Sequence, residues 1–206
     1  MAKSKSSKGW LKEHFDDQYV KRSQEEGYRS RAIYKLIEID DKDHLIKPGM
    51  TIIDLGAAPG GWSEYCVNKM RGKGTVVALD ILPMEPIDGV EIIEGDFRED
   101  AVFEQLMTVM DDTKADLVIS DMAPNISGMD SVDMPRAYYL CELALELARE
   151  VLKPGGGLLV KLFQGEGFEA YNHELKSSFN KVVMRKPKAS RARSREVYAL
   201  ALGYKG

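Results

Sequence analysis

The sequence predicts an α/β fold built on a mostly parallel, seven-stranded sheet whose last strand runs antiparallel to the others. Three observations carry this. From residue 50 onward, short apolar runs alternate with helix-length segments, the pattern of strands and crossover helices wound into a parallel sheet. The chain has 206 residues, 44% of them hydrophobic, enough for one α/β domain with a full core. Only a basic loop separates the last two strand candidates, too short for the crossover that parallel pairing needs, so the chain turns back there.

Residues 1–9 (Met-Ala-Lys-Ser-Lys-Ser-Ser-Lys-Gly) are polar and low in complexity and are expected to form a flexible basic arm. Residues 10–206 read as a single domain, with 10–48 as a helical extension ahead of the sheet. Within it, 10–26 has spaced apolar positions and reads as a helix, which Gly27 breaks. Ser30 is placed to cap a second helix over Arg31–Ile39, where Ile33, Leu36 and Ile37 share a face. The strands are expected at Thr51–Leu55, Thr75–Leu79, Val90–Glu94, Asp116–Ser120, Gly157–Phe163, Lys181–Arg185 and Glu196–Leu202. Helices fall at 61–70, 100–110, 134–152 and 168–179. The third of these puts Leu140, Leu143, Leu147 and Val151 on one stripe and stops at Pro154-Gly155-Gly156. There are no internal repeats.

The composition excludes several classes. Two cysteines, Cys66 and Cys141, stand alone in helix-like stretches and support neither a disulfide framework nor a CxxC metal site. His14, His44 and His173 show no ligand spacing, so no metal is expected. The amino terminus has no apolar signal segment, and no run approaches a membrane span, so a cytoplasmic protein with no membrane partner is expected. Net charge is −4 but uneven. Residues 1–35 carry nine Lys/Arg against five Asp/Glu, and residues 181–206 carry eight against one, so the ends stand at +4 and +7 and leave −15 between them. Basic ends around an acidic middle suggest a polyanion held at the ends.

The segment Asp54-Leu55-Gly56-Ala57-Ala58-Pro59-Gly60-Gly61-Trp62 closes an apolar run and opens a helix. A strand, a glycine-rich turn and a helix start make a nucleotide-cofactor site, because glycines let the backbone approach the ligand. Asp80 ends the second strand, where an acid accepts from ribose hydroxyls, and Asp96 follows the third, where a carboxylate can accept from an adenine amino group. Three acids around one ligand repel a diphosphate. They suit S-adenosylmethionine, which carries an ammonium and a sulfonium and no phosphate.

Lys161 interrupts the apolar strand Leu158-Leu159-Val160-Lys161-Leu162-Phe163, a costly place for lysine unless it is paired or has a task. Asp121 follows the apolar run Leu117-Val118-Ile119, and Glu196 starts the last strand. If that strand is antiparallel, its start lies beside the other strands' ends. Lys35 comes from the second helix. Two lysines and two carboxylates can therefore meet. Methylating a hydroxyl needs the oxygen in line with methyl and sulfur, loss of its proton, and a positive neighbour for the growing negative charge. Lys161 serves either as the base or as an orienting, stabilising charge; the sequence leaves both open.

Taken together, these residues resemble the FtsJ family of S-adenosylmethionine-dependent ribose 2′-O-methyltransferases, over about residues 10 to 202. The resemblance rests on the tetrad Lys35, Asp121, Lys161 and Glu196 and on the turn from Asp54 to Trp62. Local runs add to it: Arg29-Ser30-Arg31-Ala32, Asp121-Met122-Ala123-Pro124-Asn125, Phe163-Gln164-Gly165-Glu166-Gly167 and Ser190-Arg191-Ala192-Arg193-Ser194-Arg195-Glu196. It implies a Rossmann-like methyltransferase fold and a catalytic role for the tetrad. It implies a cofactor site at Asp54, Gly56, Gly60, Trp62, Asp80, Asp96 and Asp121, with S-adenosylhomocysteine as product and no metal. Length and flanks look most like the bacterial heat-shock type. That likeness implies a uridine ribose in large-subunit (23S) ribosomal RNA as target, on an assembled or nearly assembled particle. No obligate protein partner is inferred from the sequence, and a monomer is expected.

Arg29, Arg31, Arg191, Arg193 and Arg195 flank Lys35 and Glu196 and are expected to grip RNA phosphates, with Tyr28 or Tyr34 as a possible base platform. Such binding weakens as salt rises. Transfer RNA as substrate, an RNA-binding assembly factor without turnover, and a nucleotide-dependent oxidoreductase are the competing readings. The turn's spacing disfavours the last.

Overall fold

The structure, a computed structural model, describes residues 18–206 apart from 112, 126, 192 and 193. The expected basic arm (1–9), the first part of the 10–26 helix and Arg193 lie outside the described residues. In chain order the elements are α1 (Gln18–Glu25), α2 (Ile33–Asp43), β1 (Thr51–Leu55), α3 (Gly61–Lys69), β2 (Thr75–Asp80), β3 (Val90–Glu94) and α4 (Asp100–Val109). There follow β4 (Ala115–Ser120), α5 (Asp130–Val151), β5 (Leu152–Phe163), α6 (Phe168–Ser178), β6 (Phe179–Arg185) and β7 (Glu196–Tyr204).

The seven strands form one sheet in the order β3-β2-β1-β4-β5-β7-β6. The first five pair in parallel. β7 runs antiparallel to both of its neighbours, as the short connection requires. Its place between β5 and β6 follows from composition. Val197 to Ala201 are buried in succession, the signature of a strand covered on both faces, whereas β6 exposes Asn180 and Lys181 and suits an edge.

Alternation along the strands splits the core in two. Val118, Leu158, Val160, Leu162 and Ala199 pack with α4, α5 and α6 on one face. Leu117, Ile119, Leu159, Tyr198 and Leu200 pack with α2 and α3 on the other. Lys161 falls in the Leu159 row, so its side chain faces α2, the helix that carries Lys35.

Several boundaries differ from expectation. No Ser30 side chain caps α2; Ala32 holds the cap position, and the helix runs on to Asp43, ended by His44 in the left-handed region (φ 51°). α5 starts a turn early, at Asp130. Asp130 and Asp133 favour its amino end, which offsets the N–H missing at Pro135. β5 follows α5 directly and takes in Pro154-Gly155-Gly156, with a register shift against β4 at Ala115/Leu117. Leu140 and Leu143 are only half-buried; the deep face of α5 is Ala137, Cys141, Ala144 and Ala148.

α2 is moored to the carboxy-terminal hairpin at several points. Arg185 forks onto Asp43 at 2.6 and 2.7 Å. Glu38 accepts the backbone N–H groups of Lys188 and Ala189 at 2.6 and 2.9 Å, and Arg31 donates to the Ala189 carbonyl at 2.6 Å. Fully buried Asp40 accepts from Ile46 N–H and the Tyr65 hydroxyl, both at 2.8 Å. These contacts fix where Lys35 enters the sheet edge.

Candidate active site

A cavity of about 620 Å³ opens at the carboxyl ends of β1, β2, β3 and β4, the edge where open α/β sheets bind ligands. Gly56, Asp80, Asp96 and Asp121 line it, with Leu140 and Leu143 from α5. Gly56 sits at φ 69°, and a β-carbon there would come within 2.3 Å of Met122 Cγ, so only glycine keeps this turn against the β4 loop. Gly60 (φ 101°) starts α3 from a left-handed position, where a β-carbon would strike Ile87 at 2.5 Å.

The three acids differ in environment. Asp80 accepts the backbone N–H groups of Ala58 and Leu82, each at 2.8 Å, so it fixes the glycine turn to the strand after it. Asp96 is held by Arg98, whose Nε lies 2.9 Å from both carboxylate oxygens; that bond keeps its carboxyl below the ordinary range. Asp54 is 1% exposed and lies outside the cavity lining. Burial pushes its carboxyl up to about 7, against the lowering effect of a 2.7 Å bond from the Ser63 hydroxyl. Asp121 and Asp80 push it further the same way. Trp62 and Gly60 also lie outside the lining. The Trp62 indole donates to the Ala32 carbonyl at 2.8 Å and rests 5.9 Å from the Tyr198 ring, inside the α2 packing.

Beside the cavity the four charged side chains converge. Lys161 Nζ lies 3.0 Å from Asp121 Oδ1 and also donates to the Asp121 carbonyl. Lys35 Nζ lies 2.9 Å from Glu196 Oε1 and 3.7 Å from Asp121 Oδ1. Both lysines are buried. Burial works against a charged Asp121, but Lys161 and then Lys35 outweigh it and hold its carboxyl below the usual range. Equal numbers of acids and amines satisfy one another in a site that water reaches little.

One residue that sequence reasoning passed over joins them. Tyr198, fully buried, donates to Asp121 Oδ1 at 2.5 Å and stands 3.4 Å from Glu196 Oε1. Burial, then the two carboxylates, raise its hydroxyl well above the ordinary value, so it stays a donor. It is register partner of Lys161 across β5 and β7. The period of two after Glu196 puts both on one face, a signal available in the sequence once the antiparallel pairing is granted. Ser190 adds a 2.7 Å bond to Glu196 Oε1.

Arg29, Arg31 and Arg195 have partners within the chain. Arg29 donates to the carbonyls of Glu85 and Pro86 at 3.1 and 2.8 Å, and Arg31 to that of Ala189, so both guanidinium groups knit loops together. Arg195 pairs with Asp130 at 2.5 Å. Arg191 is described and Arg193 lies outside the described residues. Tyr34 is no base platform: it is 3% exposed, bonded to Glu26 at 2.7 Å and packed edge-on against Tyr28. Among the described residues no cluster of His, Cys, Asp or Glu could hold a metal ion, and no helix is long and apolar enough to cross a membrane.

A reversed seventh strand beside a glycine-turn cavity rimmed by acids is the build of a methyltransferase, whose donor is a sulfonium and not a phosphate. Comparison with known proteins agrees and narrows the class. Residues 28–204 match the model of the FtsJ-like methyltransferases, and the chain belongs to that family. It is 62% identical over 203 residues to the ribosomal RNA large subunit methyltransferase E of Chromohalobacter salexigens, covering 98% of this chain and 97% of that one. It is 60% identical over 204 residues to the protein of the same name from Legionella pneumophila, covering 99% of each. Among solved structures, a Plasmodium falciparum protein described as a ribosomal RNA methyltransferase superposes with a TM-score of 0.79 at 30% identity, over 87% of this chain and 100% of that one.

Proposed function

We propose that this protein transfers a methyl group from S-adenosylmethionine to the 2′-hydroxyl of a uridine ribose in large-subunit ribosomal RNA, on the assembled or nearly assembled particle in the cytoplasm. The observation that carries the reading is the Lys161–Asp121–Lys35–Glu196 cluster, in which Asp121 belongs to both the charge cluster and the cavity wall. The names of the full-length relatives support the RNA target.

S-adenosylmethionine supplies an electrophilic methyl on a sulfonium. The chain supplies position and charge. The glycine turn, Asp80, Asp96 and Asp121 hold the donor. Lys161 has three donors as an ammonium. Asp121 takes two of them, and the third is the group for the incoming 2′-oxygen. That contact fixes the oxygen and sets positive charge where negative charge grows as the carbon–oxygen bond forms, the carbon–sulfur bond breaks to leave S-adenosylhomocysteine, and the hydroxyl proton passes to solvent water. Lys35 and Glu196 complete the pairing that keeps Asp121 and Lys161 in place. The test is tritiated methyl transfer to large ribosomal subunits. A Lys161→Met protein is expected to bind S-adenosylhomocysteine normally in calorimetry and to lose nearly all transfer. Near-normal transfer by that folded variant ends the assignment.

A further inference from the structure

We propose that Arg98 is a positioning residue of the cofactor cavity: it braces Asp96 against Tyr139, so that an edge acceptor and an aromatic face meet a 6-aminopurine as one preformed wall. The inference deepens the reading of the cavity as the S-adenosylmethionine site and rests on it.

Asp96, Arg98 and Tyr139 all line the cavity. Arg98 Nε is shared between both Asp96 oxygens at 2.9 Å, Nη2 also contacts Oδ2, and the Arg98 backbone N–H adds a 3.0 Å bond to Oδ1. The other arm, Nη1, lies 3.1 Å from the Tyr139 hydroxyl, and the guanidinium carbon stands 6.0 Å from the centre of that ring. The bridge ties the loop after β3 to α5, the helix that connects β4 to β5. Arg98 is half exposed, and exposed ion pairs add little to stability, so its loss should cost the fold little.

The walls point to the ligand's chemistry. Four large hydrophobic side chains are exposed among the described residues, and three of them, Ile81, Leu82 and Tyr139, line this cavity. Apolar faces suit a flat ring. A carboxylate only accepts, so facing position 6 of a purine it selects the exocyclic amine of adenine over the carbonyl of a 6-oxo purine. An acceptor already immobilised by a guanidinium loses less freedom on binding than a mobile one.

The test uses the full chain with Arg98→Met, Arg98→Lys and Tyr139→Phe. Steady-state transfer is measured on large ribosomal subunits, and calorimetry is run with S-adenosylhomocysteine and S-inosylhomocysteine. Arg98→Met is expected to raise KM for the donor and Kd for S-adenosylhomocysteine about tenfold, to leave kcat within about twofold, and to narrow the adenosyl-over-inosyl preference. Arg98→Lys recovers part of the loss, because an ammonium pairs with Asp96 but has no second arm for Tyr139. Tyr139→Phe shows a smaller shift in the same direction, and carries the test if Arg98→Met does not fold. Unchanged affinity and preference in these variants, or a fall in kcat with KM intact, overturns the inference alone. Wild-type protein that binds neither compound overturns the reading of the cavity and the inference with it.

Discussion

Asp54 should make the folded chain less stable as pH rises from about 4 to about 7, and Asp54→Asn should remove that loss. The acid is fully enclosed beneath the glycine turn, with the Ser63 hydroxyl as its hydrogen-bond partner. Burial holds its proton to about pH 7 in the folded chain, against an ordinary value of 3.8. Between those two values the unfolded chain has released the proton and the folded chain has not. Stability therefore falls through that window, by on the order of 4 kcal/mol at about 1.36 kcal/mol for each pH unit. Asparagine keeps an oxygen for the Ser63 hydroxyl and cannot ionise. Urea unfolding of both proteins at pH 4, 5, 6, 7 and 8 measures the difference directly. The variant's stability relative to wild type should climb across the series by on the order of 4 kcal/mol and then level off. Parallel profiles would mean that Asp54 is ionised in the fold, and the account of this buried acid would be wrong.

Three further outcomes are expected. Tyr198→Phe keeps the ring against Trp62 but removes the donor to Asp121, which should cost about 1–3 kcal/mol in urea unfolding; because both lysines still hold Asp121, its turnover should fall far less than that of Lys161→Met. Glu38→Gln loosens α2 from the backbone at Lys188 and Ala189 and should lower kcat while calorimetric binding of S-adenosylhomocysteine is unchanged, since Lys35 is not part of the cavity wall. Arg29→Ala frees the loop from Ile81 to Pro86 and should weaken cofactor binding, while the salt dependence of RNA binding keeps its slope, because this guanidinium is engaged by carbonyls.

The seven strands were legible as short runs in which apolar residues predominate or alternate with polar ones, and β7's reversal was permitted by the short link after Arg185. Lys161 announced itself as a charge inside such a run, and its place in the Leu159 row turned that oddity into an ion pair with Asp121 on the sheet face that α2 covers. Other features depend on where chain segments lie in space. Nothing local to Arg29 or Arg31 tells that carbonyls from residues 85, 86 and 189 wait for them. Leu140 and Leu143 fit a helical stripe equally well as core or as cavity wall, and only the neighbouring β-strand ends decide it. The early start of α5 depends on Asp133 collecting Ser127 and Gly128 N–H groups, a loop-to-helix contact that propensity does not register.

The charge cluster and the cavity beside it are built to methylate a ribose oxygen. The most direct measurement is incubation of purified protein with large ribosomal subunits and tritiated S-adenosylmethionine, followed by nuclease digestion and identification of the labelled nucleoside. Label is expected in a 2′-O-methyluridine from large-subunit RNA, and none with Lys161→Met. Label on a base or on a ribosomal protein, or equal labelling by the variant, would contradict it.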